Sequence, residues 1–153
     1  MSLTDSQKQL IRNSWSPVTK DFTGNGMIMF QRLFEQNPHL QQLFSWAKDV
    51  PLSDVGKLPK LQKHVTTVLT TVDTAVANLD DLTTVVPKLI ALGGVHAKYS
   101  VKPEHFEPVG EALIYAIAQV NGDDFTNETK EAWVGVYSVV VSTMQKGLLS
   151  KTK

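Results

Sequence analysis

The chain contains no cysteine. That excludes disulfides, thiolate nucleophiles, iron–sulfur clusters and cysteine-ligated zinc. It has no excess of either charge, since 15 Lys and Arg balance 15 Asp and Glu. Nothing electrostatic would therefore hold a nucleic acid or an anionic membrane surface. No apolar run approaches the roughly 20 residues of a membrane span. The N-terminal MSLTDSQKQLIRNSW lacks the apolar core of a signal peptide. A phosphate loop is also missing: Gly24-Asn25-Gly26 is followed by neither a further glycine nor a Lys-Ser/Thr pair. No H-E-x-x-H, EF-hand or nucleophile-elbow pattern occurs. These absences lead to the expectation of a cytoplasmic chain with neither nucleic-acid nor membrane partners.

What remains is ordinary globular material, 42% hydrophobic and 20% charged over 153 residues, which is enough for a single core. We read residues 1–153 as one domain. Thr4 and Gln7 fit a capping box, and the helix behind it carries Trp15 and meets Pro17. Asp21 or Thr23 would cap a second helix through Met27, Phe30, Leu33 and Phe34. Asn37-Pro38 ends it, and Pro38 suits the first turn of a short third. Residues 47–60, with two prolines and a glycine, read as a loop with at most a brief helical turn. Leu61, Val65, Val68, Leu69, Val72 and Val76 form the clearest helical stripe. Asn78-Leu79-Asp80-Asp81 interrupts it, and Pro87 suits another helix start. Ser100 to Pro103 is a corner. A further stripe joins Phe106, Val109, Leu113 and Ile117, and Asn121 to Asp124 is a turn. The Val-rich stretch 134–141 has strand propensity, but Trp133, Tyr137, Val140 and Met144 keep helical spacing, with fraying expected at residues 151–153. The expected fold is all-α, with about seven to eight helices.

Four histidines are the remaining candidates for chemistry. His39 follows Pro38 in a polar helix and reads as exposed. His105, between Glu104 and Glu107, reads as part of a solvated first turn, where acids suit the helix dipole. His64 and His96 each lie beside an apolar stripe, His64 four residues before Val68 and His96 four after Leu92. Each is either a core histidine or a ligand. As a pair on two helices joined by the 79–86 connection they could face each other across a cavity, and imidazole is a common axial ligand of haem iron.

At these residues the chain resembles a globin. Asn37 to Phe44 resembles the globin corner, whose proline precedes the haem-stacking Phe by six residues. Leu61 to Val68 resembles the distal helix with its histidine, Leu89 to His96 the proximal helix, and Lys102 to Phe106 the start of the next one. Gly110 to Tyr115, Ala132-Trp133 and Tyr137 are similar to neuroglobins, and invertebrate intracellular globins are the other near likeness. The chain departs from neuroglobins in having no cysteine in the corner loop and Thr67 in place of Lys. Ala47 stands where many globins have a second Phe.

The resemblance implies a globin fold around one pocket for haem b (iron protoporphyrin IX). It makes His96 the proximal ligand. His64 becomes the distal residue, either hydrogen-bonding bound O2 or ligating iron directly. Phe30, Leu43, Phe44, Trp46, Thr67, Val68, Leu92, Val101, Phe106, Val109 and Tyr137 would line the pocket. It further implies reversible O2 binding for storage or intracellular transport, with CO and NO as other ligands, by a monomer or weak homodimer rather than an enzyme. The alternative is a six-coordinate globin for gas sensing, NO or nitrite conversion, or redox chemistry. Secondary NO dioxygenase, nitrite reductase or peroxidase activity is compatible with it, although Phe30, Thr67 and Val68 offer little push to help cleave a peroxide. A third reading is a helical interaction module without haem, which would be colourless.

Overall fold

The computed structural model describes residues 3–91 and 105–152, with side chains as far as residue 146. Helix α1 (Asp5–Val18) opens with the expected capping box: Thr4 Oγ1 accepts from Gln7 N and Thr4 N donates to Gln7 Oε1. Pro17 lies inside α1 rather than ending it. In the last turn a proline forfeits one backbone bond, and the chain completes the turn at that cost. Asp21, not Thr23, caps α2 (Phe22–Gln36), accepting from Gly24 N at 2.9 Å. Pro38 begins α3 (Pro38–Gln41).

The stretch 47–60 contains one helical turn, α4 (Leu52–Val55), and its end already belongs to α5 (Pro59–Ala77), with Pro59 as first residue. A 3-10 turn (Leu82–Val85) leads into α6, helical over 86–91. Helix α7 (Phe106–Asn121) ends at Gly122, whose φ of 58° is the left-handed conformation glycine tolerates. Helix α8 (Asn127–Thr152) absorbs the Val-rich stretch and continues through 151–152, where fraying was expected. Among the described residues there is no strand, and the fold is all-α. No helix among them is long and apolar enough to cross a membrane.

Two tryptophans tie the bundle together. Trp15 Nε1 donates to Asp73 Oδ1 at 2.8 Å, joining α1 to α5. Trp133 Nε1 donates to Ser14 Oγ at 2.8 Å, joining α8 to α1. Burying an indole is tolerable only when its N–H finds such a partner. Helix α2 crosses α5 at Gly26, where an added β-carbon would fall 2.8 Å from Val65 Cβ. Around that crossing Ile11, Met29, Phe34, Leu61, Val65, Leu69, Ile117 and Trp133 form the main core. A smaller cluster gathers Val85, Leu89, Phe106 and Met144.

Candidate functional site: a caged histidine beside a half-covered apolar ridge

Helix α5 presents two neighbouring ridges. Leu61, Val65 and Leu69 recur every four residues and are fully buried, whereas His64, Val68 and Val72 form the next ridge and are only half-buried. The second ridge is apolar apart from His64, yet the protein itself does not finish covering it.

Three rings surround the His64 imidazole. Phe30, from α2, stands edge-on at 5.3 Å between centroids. Phe44 stands edge-on at 5.2 Å and Trp46 lies tilted at 6.2 Å, both from the loop between α3 and α4. The rings also brace one another: Phe44 is 5.2 Å from Trp46, and Phe34 is 5.7 Å from Phe44 and 5.9 Å from Phe30. Edge-to-face packing of this kind favours fixed ring orientations. The imidazole thereby sits in a largely apolar setting, where a polar contact is stronger than in water.

A second group lies on α7 and α8. Phe106 is buried and Val109 and Tyr137 are half-buried. The Tyr137 hydroxyl donates to the Phe106 carbonyl at 2.5 Å, and burial pushes its phenol well above the usual range. Gly110 makes room for the ring, since a β-carbon there would overlap it. The hydrogen bond thus holds the start of α7, where the chain arrives from residues 92–104, against α8.

The structure therefore gathers Phe30, Phe44, Trp46 and His64 around one point, and joins Phe106 to Tyr137. Leu43 and Val68 pack against the main core while staying partly open. Thr67 is exposed, and its hydroxyl donates to the Lys63 carbonyl at 3.0 Å. Leu92, His96 and Val101, and the corner at Ser100 to Pro103, lie outside the described residues. His39 is exposed as expected. His105 is not: it is half-buried at the N-terminal boundary of α7 and takes part in an interaction. Three participants were missed from sequence. Val72 continues the half-buried ridge. Gly110 occupies an inward position between Phe106 and Leu113, which is the signal of a close approach. Gln41, buried beneath the Phe44 loop, left no signal.

Leu43, Phe44, Trp46, Val68, Val72, Val109 and Tyr137 all pack on the main core and all remain part-covered. Among the described residues no three His, Asp or Glu side chains converge on a metal position. A caged imidazole flanked by uncovered apolar surface suits a flat, largely apolar group that brings its own metal, and the residues present fit a haem.

An all-helical bundle that encloses a histidine this way defines the class, and comparison with known proteins gives the family. The Globin family model matches residues 28–144. The chain is 38% identical over 146 residues to a neuroglobin of Tetraodon nigroviridis, covering 95% of this chain and 92% of that protein. Neuroglobin-2 of Oncorhynchus mykiss matches with the same identity and coverage. A neuroglobin of Chaenocephalus aceratus is 36% identical, again over 95% of this chain and 92% of its own. The chain belongs to the globin family. It is a haem-based, gas-binding globin of neuroglobin-like sequence.

Proposed function

We propose that the chain binds haem b and takes up O2 reversibly, for storage or intracellular transport. The observation that carries this reading is the His64 imidazole held by Phe30, Phe44 and Trp46 beside an apolar ridge left half-covered. Ferrous haem, when bound, supplies the gas-binding centre. His96 would hold its iron from the proximal side. Phe44 and Trp46 would lie against the porphyrin at the loop edge, with Leu43 and Val68 as distal wall. Leu92, Val101, Phe106, Val109 and Tyr137 would complete the apolar enclosure, and Thr67 would stand at its rim. Apolar lining keeps water and protons from the site. His64 offers an N–H to a diatomic ligand carrying partial negative charge, an interaction of about 1–3 kcal/mol when charge-assisted. CO and NO would use the same position. A cytoplasmic monomer or weak homodimer remains the accompanying proposal.

The neuroglobin likeness supports a second reading, in which His64 ligates the iron itself and external gas must displace it. Affinity then falls by the fraction of open sites, and the role shifts towards sensing, NO or nitrite conversion, or redox chemistry. One spectrum separates the two. Reduced under argon, an open site gives a single broad visible band, and a His64–iron–His96 site gives two sharp bands. Absence of any haem absorbance after addition of hemin overturns both. We expect His96→Ala to lose haem, and a normal spectrum in that variant would remove His96 as the proximal ligand. We expect His64→Leu to speed O2 loss or autoxidation, and unchanged rates would show that His64 does not meet the ligand.

A further inference from the structure

Two of the three rings around His64 come from a loop, not from a helix, and something must hold that loop. Its backbone makes a succession of tight turns: Ala47 N and Lys48 N both donate to the Phe44 carbonyl at 2.9 Å, and Val50 N donates to the Ala47 carbonyl at 3.1 Å. Between Ala47 and Val50, the acceptor and donor of that last bond, stands Asp49, whose φ of 67° is left-handed, a conformation that costs a non-glycine residue about 1 kcal/mol or more. Such a loop needs a restraint from outside itself. Gln41 supplies one. Its side chain is buried, and its Nε2 donates both hydrogens into the loop, to the Ala47 carbonyl at 2.8 Å and the Val50 carbonyl at 2.7 Å. The two acceptors bracket Asp49. Ala47 is itself fully buried, directly after Trp46.

From this geometry we infer that Gln41 is a positioning residue of the gas-binding site: its amide latches the 42–51 loop so that Phe44 and Trp46 cage His64. The inference rests on the haem reading above and adds to it a residue that acts through the loop without touching haem or gas. A buried carboxamide has the two donors needed to satisfy two carbonyls at once, and no apolar residue in that place has any. Release of the latch lets the left-handed turn relax. The two loop rings then withdraw from His64, and the imidazole gains freedom to swing toward or away from the iron. The chain has no cysteine, so the latch is a hydrogen-bonded one, insensitive to redox conditions.

The test uses the full chain with Gln41→Glu, which keeps the shape but replaces the amide donors by an acceptor, and Gln41→Met, which keeps bulk alone. Amide hydrogen exchange is measured first without haem. Losing two hydrogen bonds should raise exchange at Lys48 and Val50 by about tenfold or more, while amides of α5 and α7 stay protected. Asp49→Gly, which removes the left-handed strain, should offset part of that rise when combined with either variant. The hemin-loaded proteins are then compared by the rate of CO uptake and by the C–O stretching band, which reports the polar contact made by His64. A several-fold change in rate with a shifted or split band is expected in both Gln41 variants. Unchanged loop exchange, or exchange raised throughout the protein, overturns the latch. Raised loop exchange with an unaltered CO band and rate overturns the coupling to His64. Failure of the wild-type chain to take up hemin overturns instead the haem reading on which this stands, and the hemin-loading step reports that separately.

Discussion

Tyr137 shows how much a single residue does here. Its hydroxyl ties the beginning of α7 to α8, and its ring occupies the slot that Gly110 leaves. Removing the hydroxyl in Tyr137→Phe should cost about 1 kcal/mol, read as a lower urea midpoint with unchanged slope. Gly110→Ala gains about 1 kcal/mol of helix propensity, but forces its methyl into the ring. Overpacking of about 1–3 kcal/mol should make the variant less stable. The phenol also has a pH signature. Burial raises its folded-state pKa above the unfolded value, so its stabilising contribution is fully present below the ordinary tyrosine pKa. That contribution is lost as pH rises beyond it. In an alkaline ultraviolet titration the absorbance change that Tyr137→Phe removes should fall above the ordinary tyrosine range, and its appearance within that range would contradict the enclosure of Tyr137. Its tether to Phe106 was not readable in advance. A tyrosine at helical spacing announces a buried ring, but not which carbonyl its hydroxyl will find. His64 and Phe44 came into view through the resemblance of residues 61–68 and 37–44 to globin segments, because such segment motifs are local. Gln41 did not, because a glutamine in a four-residue helix reads as solvated until the loop it bonds has folded over it.

At the scale of elements, α5 demonstrates that pattern outweighs propensity. Thr66, Thr67, Thr70, Thr71 and Thr74 are β-branched, and each hydroxyl bonds the carbonyl four residues back. That habit is neutral to unfavourable for a helix. The helix forms because Leu61, Val65 and Leu69 recur every four residues as a buried ridge packed against α2, with Val76 buried seven residues further on. The covering depends on Gly26. Gly26→Ala should destabilise by about 1–3 kcal/mol, despite the propensity gain, because Val65 on the opposing backbone has no room to retreat. A denaturation curve as stable as wild type would show that the crossing can open. Helix starts at Thr4 and Pro38 were legible, since capping boxes and first-turn prolines act within one turn. Helix α4, and the early start of α5 at Pro59, were hidden in a stretch whose prolines and glycine resemble a loop.

The whole molecule keeps its core in two parts among the described residues, a large one around the α2–α5 crossing and a small one around Val85, Leu89, Phe106 and Met144. Apolar side chains left half-covered forgo part of the roughly 25 cal/mol per Å² that complete burial brings. A group that covers them should therefore stabilise the fold. We expect hemin to raise the melting temperature of the haem-free chain in a concentration-dependent way. Linkage gives about 2.7 kcal/mol at a hundredfold excess over Kd. A melting temperature indifferent to hemin would contradict the fit. Ion pairs contribute little to this balance. Those of Lys8 and Arg12 with Asp80 are exposed, although Lys8, first by its hydrogen bond, and then Arg12 hold that carboxyl below its usual range.

The sequence by itself determined the all-helical class and the helix starts at Thr4 and Pro38. Each follows from periodicity, caps and composition, which act over a few residues. Which half of α5 stays uncovered, which rings close on His64, and which buried amide restrains their loop were decided only by the tertiary structure. Those choices join α2, α5 and the 42–51 loop, and α7 with α8, at separations where local propensity carries no information and packing alone selects the partner.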